Sequence, residues 1–168
     1  MDRYDRQILG ILQEDATVPV AEIGEQVGLT STPCWRRVQK LEESGIIRKR
    51  VALLDPAKLN VGVTVFVSVR TNQHSEKWLK TFHGLVASIP EVTEFYRMAG
   101  DTDYLLRVVV PDIAAYDAVY KKLIQGSELA DVSSSFAMEQ IKSTTELPLM
   151  YASTGHGREG SSRHSATI

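Results

Sequence analysis

Residues 29–45 read LTSTPCWRRVQKLEESG. The stretch carries the marks of a helix at both ends. Thr30 or Ser31 can cap the first turn with a hydroxyl, Pro33 sits where a missing N–H costs little, and Gly45 supplies a left-handed stop. Cys34, Val38 and Leu41 fall at i, i+4, i+7 and make one apolar stripe. Thr32, Arg36, Gln39, Lys40 and Glu43 lie away from it, with Trp35 and Arg37 on its shoulders. Small hydroxyl residues let a helix start approach base edges, and guanidinium groups reach bases or phosphates, so the stretch suits a DNA major groove. A solvated basic face on an ordinary helix is the plainer alternative. The flanking sequence separates the two.

Upstream, 2–14 is amphipathic, with Tyr4, Ile8, Ile11 and Leu12 on one face and Leu9 beside them. Pro19 starts a short helix at about Val20, with Ala21, Ile23 and Val27 inward, and Gly28 ends it. Three short helices with a Gly-containing turn before the last make a helix-turn-helix unit, held by packing because none is stable alone. Downstream, IIRKRVALL at 46–54 is β-prone and carries Arg48, Lys49 and Arg50. It reads as a wing strand that brings cations to a phosphate backbone, or as an edge strand blunted by charge.

The 168-residue chain has a formal net charge of −2, so any polyanion contact must be local. Its one cysteine, Cys34, forbids an intramolecular disulfide and suits a reducing compartment. Cys34 fits either a redox sensor at a helix start or a small core residue, and the apolar stripe favours the core. No apolar run reaches membrane-spanning length, and the N-terminus lacks a signal-peptide core; the expectation is a cytoplasmic protein with no membrane partner.

Residues 55–61, with Pro56, form a linker, and beyond them the periodicity changes. Val61, Val63, Val65, Val67 and Val69 alternate with Thr64, Phe66, Ser68 and Arg70 as a strand with one apolar side. A helix over 75–89 presents Trp78, Leu79, Phe82, Val86 and Ile89. Strands over 92–99 and 104–110 flank the turn Gly100-Asp101-Thr102-Asp103. A helix led by Pro111-Asp112 turns Ile113, Tyr116, Tyr120, Leu123 and Ile124 inward, and 132–141 is the last strand. The order βαββαβ is the ferredoxin-like arrangement. Both helices cover one sheet face; the other reads as too apolar to stay exposed and predicts self-association. The Gly/Ser-rich end, with His156 and His164, cannot order itself and reads as a disordered tail.

No nucleophile elbow, phosphate-binding loop, dinucleotide fingerprint or metalloprotease helix is present, and His74 and His83 read as surface histidines. Asp101 and Asp103 lack further ligands at metal-loop spacing. No enzyme, metal site or cofactor is expected.

Several separated motifs, in order, resemble the Lrp/AsnC family of regulators: DRYDRQILGIL at Asp2–Leu12, VGLTSTPCWRRVQKLEESGII at Val27–Ile47, ALLDPAKL at Ala52–Leu59 and AGDTDYLLRVVVPD at Ala99–Asp112. PCWRRVQKLEESGI, VALLDP, RMAGDTDYLLRV and SSFAMEQIKSTTELP are most similar to a cysteine-responsive sub-branch. The resemblance implies an α+β protein with a (winged) helix-turn-helix domain at 1–54, the linker at 55–61, a ferredoxin-like (RAM/ACT-like) effector and oligomerisation domain at 62–148, and a tail at 149–168. It implies a homo-oligomer (dimer, tetramer or octamer) and a small amino-acid effector, cysteine or another, bound between subunits.

The residues expected on a double-stranded DNA operator are Ser31, Thr32, Pro33, Trp35, Arg36, Arg37, Lys40, Arg48, Lys49 and Arg50. Those expected at the effector are Met98, Gly100, Asp101, Thr102, Asp103, Tyr104, Ile113, Ser134, Ser135, Phe136, Ala137 and Met138. The turn offers backbone N–H groups to an α-carboxylate and carboxylates to an α-ammonium; the same residues would serve as well to close a hairpin. An architectural, largely non-specific DNA binder that ignores amino acids is the alternative function.

Overall fold

The computed structural model describes residues 1–73, 75–126 and 128–152, which form two compact units. His74, His156, His164 and most of the expected tail lie outside the described residues.

The first unit begins with α1 (Arg3–Glu14). Asp2 caps it in a reciprocal box: its carboxylate accepts from Asp5 N–H, and the Asp5 carboxylate accepts from Asp2 N–H, both at 2.9 Å. Helix α2 (Val20–Val27) ends at Gly28 with φ 75°, the left-handed cap expected of a glycine. Helix α3 (Ser31–Glu43) follows at once and is closed by Gly45, also left-handed at φ 73°. Thr30 is the residue that caps α3, but its side chain makes no cap hydrogen bond, unlike the expected hydroxyl cap.

Ile8, Leu9, Ile23, Val27, Cys34, Val38 and Leu41 pack as the core of this unit. Burial holds the Cys34 thiol above its ordinary pKa, so it is a packing residue and no ready thiolate. Ala21, expected inward, is exposed, and Gly24 is buried in its place. A Cβ on Gly24 would stand 2.8 Å from the Leu29 carbonyl, so only glycine lets α2 pass this close to the turn before α3.

The second unit is a βαββαβ sheet-and-helix layer. Strands β1 (Val63–Arg70), β2 (Val92–Arg97), β3 (Tyr104–Val110) and β4 (Asp131–Phe136) form an antiparallel sheet in the order β2-β3-β1-β4. Helix α4 (Glu76–Ala87) joins β1 to β2, and α5 (Ile113–Gln125) joins β3 to β4. Val65, Val67 and Val69 of β1 and Leu106, Val108 and Val110 of β3 face Phe82 and Val86 of α4 and Val119 and Leu123 of α5 in one core.

Two expected members of the α5 face, Ile113 and Ile124, are exposed, and Val119 fills the inner position. The uncovered sheet face holds exposed Phe66 and Tyr96 among Ser and Thr residues, with Arg107 paired to Glu94 at 3.3 Å. The face is mixed: Thr64, Ser68, Ser133 and Ser135 share it with apolar Leu105 and Val109, which stand opposite Ser68 and Thr64.

Three further expectations are corrected. Residues 46–54 form no strand: a strand needs a ladder partner, and within the chain Ile47 N–H bonds back to the Leu41 carbonyl instead. β4 stops at Phe136, where its partner β1 begins, rather than running to Ile141. Residues 143–152 group by backbone contact with the first unit rather than with the sheet unit. The Gln13 side-chain amide donates to the Leu147 carbonyl at 3.2 Å and accepts from Leu147 N–H at 3.0 Å, and Leu149, in a short 3₁₀ turn (Leu149–Tyr151), packs on the helical core.

Candidate nucleic-acid interface and ligand site

Along α3 the structure divides the expected DNA contacts into two kinds. Arg37 turns back to α1, with Nη1 2.7 Å from Asp2 and 2.8 Å from Asp5, and its guanidinium lies 5.2 Å from the Tyr4 ring centre. The hydrogen bonds that Arg37 donates to Asp5 and Asp2 raise its pKa, while the Asp5 N–H, and then Arg37, lower that of Asp2. Arg37 therefore ties α3 to the N-terminus of α1. Arg50 likewise pairs with Glu42 at 2.9 Å.

Arg36, Lys40, Arg48 and Lys49 are exposed and make no ion pair among the described residues. Ser31, Thr32 and Pro33 are exposed on the first turn of α3, and Trp35 keeps 49% of its surface exposed. Together with Val20 at the start of α2, Ser31, Thr32 and Trp35 line an open apolar notch of about 300 Å³. The sequence offered no sign of Val20, since a residue at a helix start joins a neighbouring helix's surface only through the tertiary turn.

In the second unit, the Gly100–Asp103 turn closes the β2–β3 hairpin. Gly100 has φ 115°, and Met98 N–H bonds to the Asp103 carbonyl at 2.8 Å. Asp103 is partly spent on structure: its carboxylate accepts from Thr71 N–H at 2.8 Å. Asp101 is exposed beside it.

Gly100, Asp101 and Asp103 share a polar cleft of about 320 Å³ with Arg70, Thr71, Asn72, Ala130 and Asp131. None of these last five was an expected site residue; they arrive through β1–β4 pairing, in which Arg70 stands opposite Asp131. Tyr104 departs from expectation: it is 3% exposed, packed against Phe82 and Phe95 in the core.

The other expected effector residues lie elsewhere. Phe136 stands opposite Val65, and Ala137 N–H bonds to the Thr64 carbonyl, at the start of β1. Val69 stands opposite Tyr104 at its end. At about 3.3 Å per residue, the turn and the Phe136 end are separated by roughly 15 Å along the strands. Ile113, 70% exposed, follows the end of β3, which pairs with the start of β1, so it belongs to the Phe136 end. Met138 is 97% exposed.

Ser134 is turned inward, hydrogen-bonded to the Tyr116 hydroxyl, and Ser135 points to the uncovered sheet face. The expected effector residues therefore fall into two groups at opposite ends of the sheet. A larger cleft, about 620 Å³ between the start of α4 and the end of α5, contains none of the expected residues. Among the described residues no three His, Cys, Asp or Glu side chains gather as a metal site, and no helix is long and apolar enough to cross a membrane.

Comparison with known proteins gives this geometry its context. Residues 1–42 match the AsnC-type helix-turn-helix domain, and residues 64–147 match the Lrp/AsnC ligand binding domain. The chain is 49% identical over 150 residues to the DNA-binding transcriptional activator DecR of Escherichia coli, covering 89% of this chain and 99% of that one. It superposes with a TM-score of 0.87 on an AsnC family transcriptional regulator from Agrobacterium tumefaciens, 68% identical, over 90% of this chain and 99% of that one.

A second structure, the transcriptional regulator NMB0573 of Neisseria meningitidis in complex with L-Met, is 36% identical, with a TM-score of 0.84 over 89% and 97% of the two chains. The chain belongs to the Lrp/AsnC family: it is a helix-turn-helix transcriptional regulator with an amino-acid ligand-binding domain.

Proposed function

We propose that this regulator is a homo-oligomer in which a small amino acid binds between copies and changes how the paired α3 helices meet their operator. The observation that carries the reading is the strand register. The Gly100–Asp103 turn and the Ile113, Phe136–Met138 group each look like half of a ligand site, and they stand at opposite ends of one sheet. A complete site then takes the turn of one copy and the strand end of another.

The cleft at the turn holds Arg70, Asp101 and Asp131 with exposed backbone, groups suited to an α-carboxylate and an α-ammonium. Exposed Ile113 and Met138 offer apolar contact to a small side chain. An effector seated across two copies binds one arrangement of copies better than another, which is the condition for shifting an equilibrium. The L-Met complex of a relative supports an amino acid as the effector, and cysteine is the member of that class the sub-branch resemblance points to. On DNA, Arg36, Lys40, Arg48 and Lys49 supply cations, and Ser31, Thr32, Pro33 and Trp35 the close-approach surface, while Arg37 and Arg50 brace the domain. No catalytic role is assigned, and the setting is the cytoplasm, with DNA.

The test has two parts. A thermal-shift screen of free amino acids on the purified chain should give a raised melting temperature for at least one small amino acid, because a ligand of the native state alone must stabilise it. Then Asp101→Ala and Met138→Asp, each expected to abolish that shift, are mixed as refolded or co-expressed chains. Random assembly restores roughly a quarter of the sites if each site draws on two copies. No recovery would place the whole site within one chain and defeat the proposal.

A further inference from the structure

We infer that the apolar notch between α2 and α3 reads the 5-methyl group of thymine, with Trp35 and Val20 as the residues that set this preference. The inference rests on the proposed use of α3 as the DNA-reading helix. It goes beyond that use by naming the base edge and the side chains that select it.

The notch is formed where two helix starts meet. Val20 is the first residue of α2, Ser31 and Thr32 are the first two of α3, and Trp35 lies one turn on. Gly24 and Gly28 set their spacing, since the first lets α2 pass the Leu29 carbonyl and the second turns the chain sharply into α3. The notch is lined by Val20, Ser31, Thr32 and Trp35, and its exposed lining is almost wholly apolar.

Nothing in the fold requires a tryptophan there. Trp35 is not among the residues that fill the core below, as Cys34, Val38 and Leu41 are, and about half of its surface faces solvent. An apolar notch beside exposed Arg36 and Lys40 is already dressed for a polyanion, which argues against a hydrophobic protein partner in that position.

Among the groups displayed in the DNA major groove, the thymine methyl is the one apolar protrusion. Cytosine carries only a hydrogen at that ring position and leaves the notch unfilled. The notch therefore favours thymine over cytosine by burying the methyl. Arg36 and the Ser31 and Thr32 hydroxyls remain available to hydrogen-bond neighbouring bases or phosphates.

The experiment starts from the full chain and duplexes it enriches from a random-sequence library. Each thymine of an enriched duplex is replaced singly by deoxyuridine, which removes the methyl and leaves every hydrogen-bonding group in place. At one or two positions per half-site the affinity should fall roughly fourfold, the fold-change expected for burying one methyl-sized group. At those positions the Trp35→Ala chain should bind the thymine and deoxyuridine duplexes equally. Because Trp35 is half-exposed and lies outside the buried core, that variant keeps its helical circular dichroism at the binding temperature. Enriched duplexes that tolerate deoxyuridine everywhere would overturn the notch while leaving α3 as the reader. Methyl sensitivity that survives in Trp35→Ala would overturn it too, by showing that another residue reads the methyl. A chain that enriches no duplex would overturn the reading role of α3 itself.

Discussion

At the scale of single residues, two neighbouring arginines separate stability from recognition. Arg37 spans Asp2, Asp5 and the Tyr4 ring, whereas Arg36 points outward with no ion-pair partner among the described residues. Arg37→Ala should cost about 1 kcal/mol of stability, since a partly exposed pair of ion pairs adds little more; denaturant unfolding measures it. Arg36→Ala should leave the unfolding midpoint alone and weaken operator binding by about 1–3 kcal/mol if it reads a base. Gly24→Ala should be the more damaging change in this domain, about 1–3 kcal/mol, because its new methyl meets the Leu29 backbone and not a movable side chain. Before folding, Arg36 and Arg37 are the same letter side by side. Helix periodicity sets Arg37 nearer the apolar stripe, and the position of α1 then gives it its acidic partners.

Among the elements, α1 and the returning C-terminal segment hold each other. Leu149 rests on the helical core, and Gln13 bonds Leu147 in both directions, a side-chain amide standing in for a strand partner. Leu149→Ala should lower stability by about 1 kcal/mol through lost apolar burial, read as a lower melting temperature. The α1 N-terminus also has a pH signature. The Asp5 N–H and Arg37 hold the Asp2 carboxyl below its ordinary pKa, so the ionised form is favoured by folding. Its contribution is complete above the unfolded pKa of about 4 and is lost as pH falls through the lower folded value. Melting temperatures recorded from about pH 5 downward should fall less steeply for Asp2→Asn than for the parent chain. Most of the elements were legible beforehand because their signals are local: Gly28 and Gly45 at helix ends, the alternation of β1, and a β3 that begins and ends as expected at Tyr104 and Val110. The expected strand at 46–54 failed because β-propensity without a partner in the chain makes no ladder.

For the whole molecule, the proposed self-association draws on the uncovered sheet face. Phe66 and Tyr96 stand exposed there, and Phe66 lies opposite Arg107 in the β1–β3 register. Phe66→Lys would put a second cation beside Arg107 on that face. Sedimentation velocity should then report a smaller species than the parent chain, with the fold retained by circular dichroism; an unchanged species would remove this face from the interface. The same change should weaken operator binding more than its distance in sequence from α3 suggests, because a dimer contacts two half-sites and a single copy only one.

By itself the sequence determined the two-part layout, the reading helix with its apolar stripe, the βαββαβ order and the family, since each depends on periodicity, on caps and turns, or on motifs within a few residues of one another. The tertiary structure decided which cations lack an ion pair among the described residues, that Tyr104 belongs to the core, that residues 143–152 return to the helical unit, and that the expected effector residues fall into two separated groups. Those outcomes depend on which distant groups meet. A salt bridge 35 residues long, a strand register and an amide clasp across 134 residues leave no local pattern in the chain.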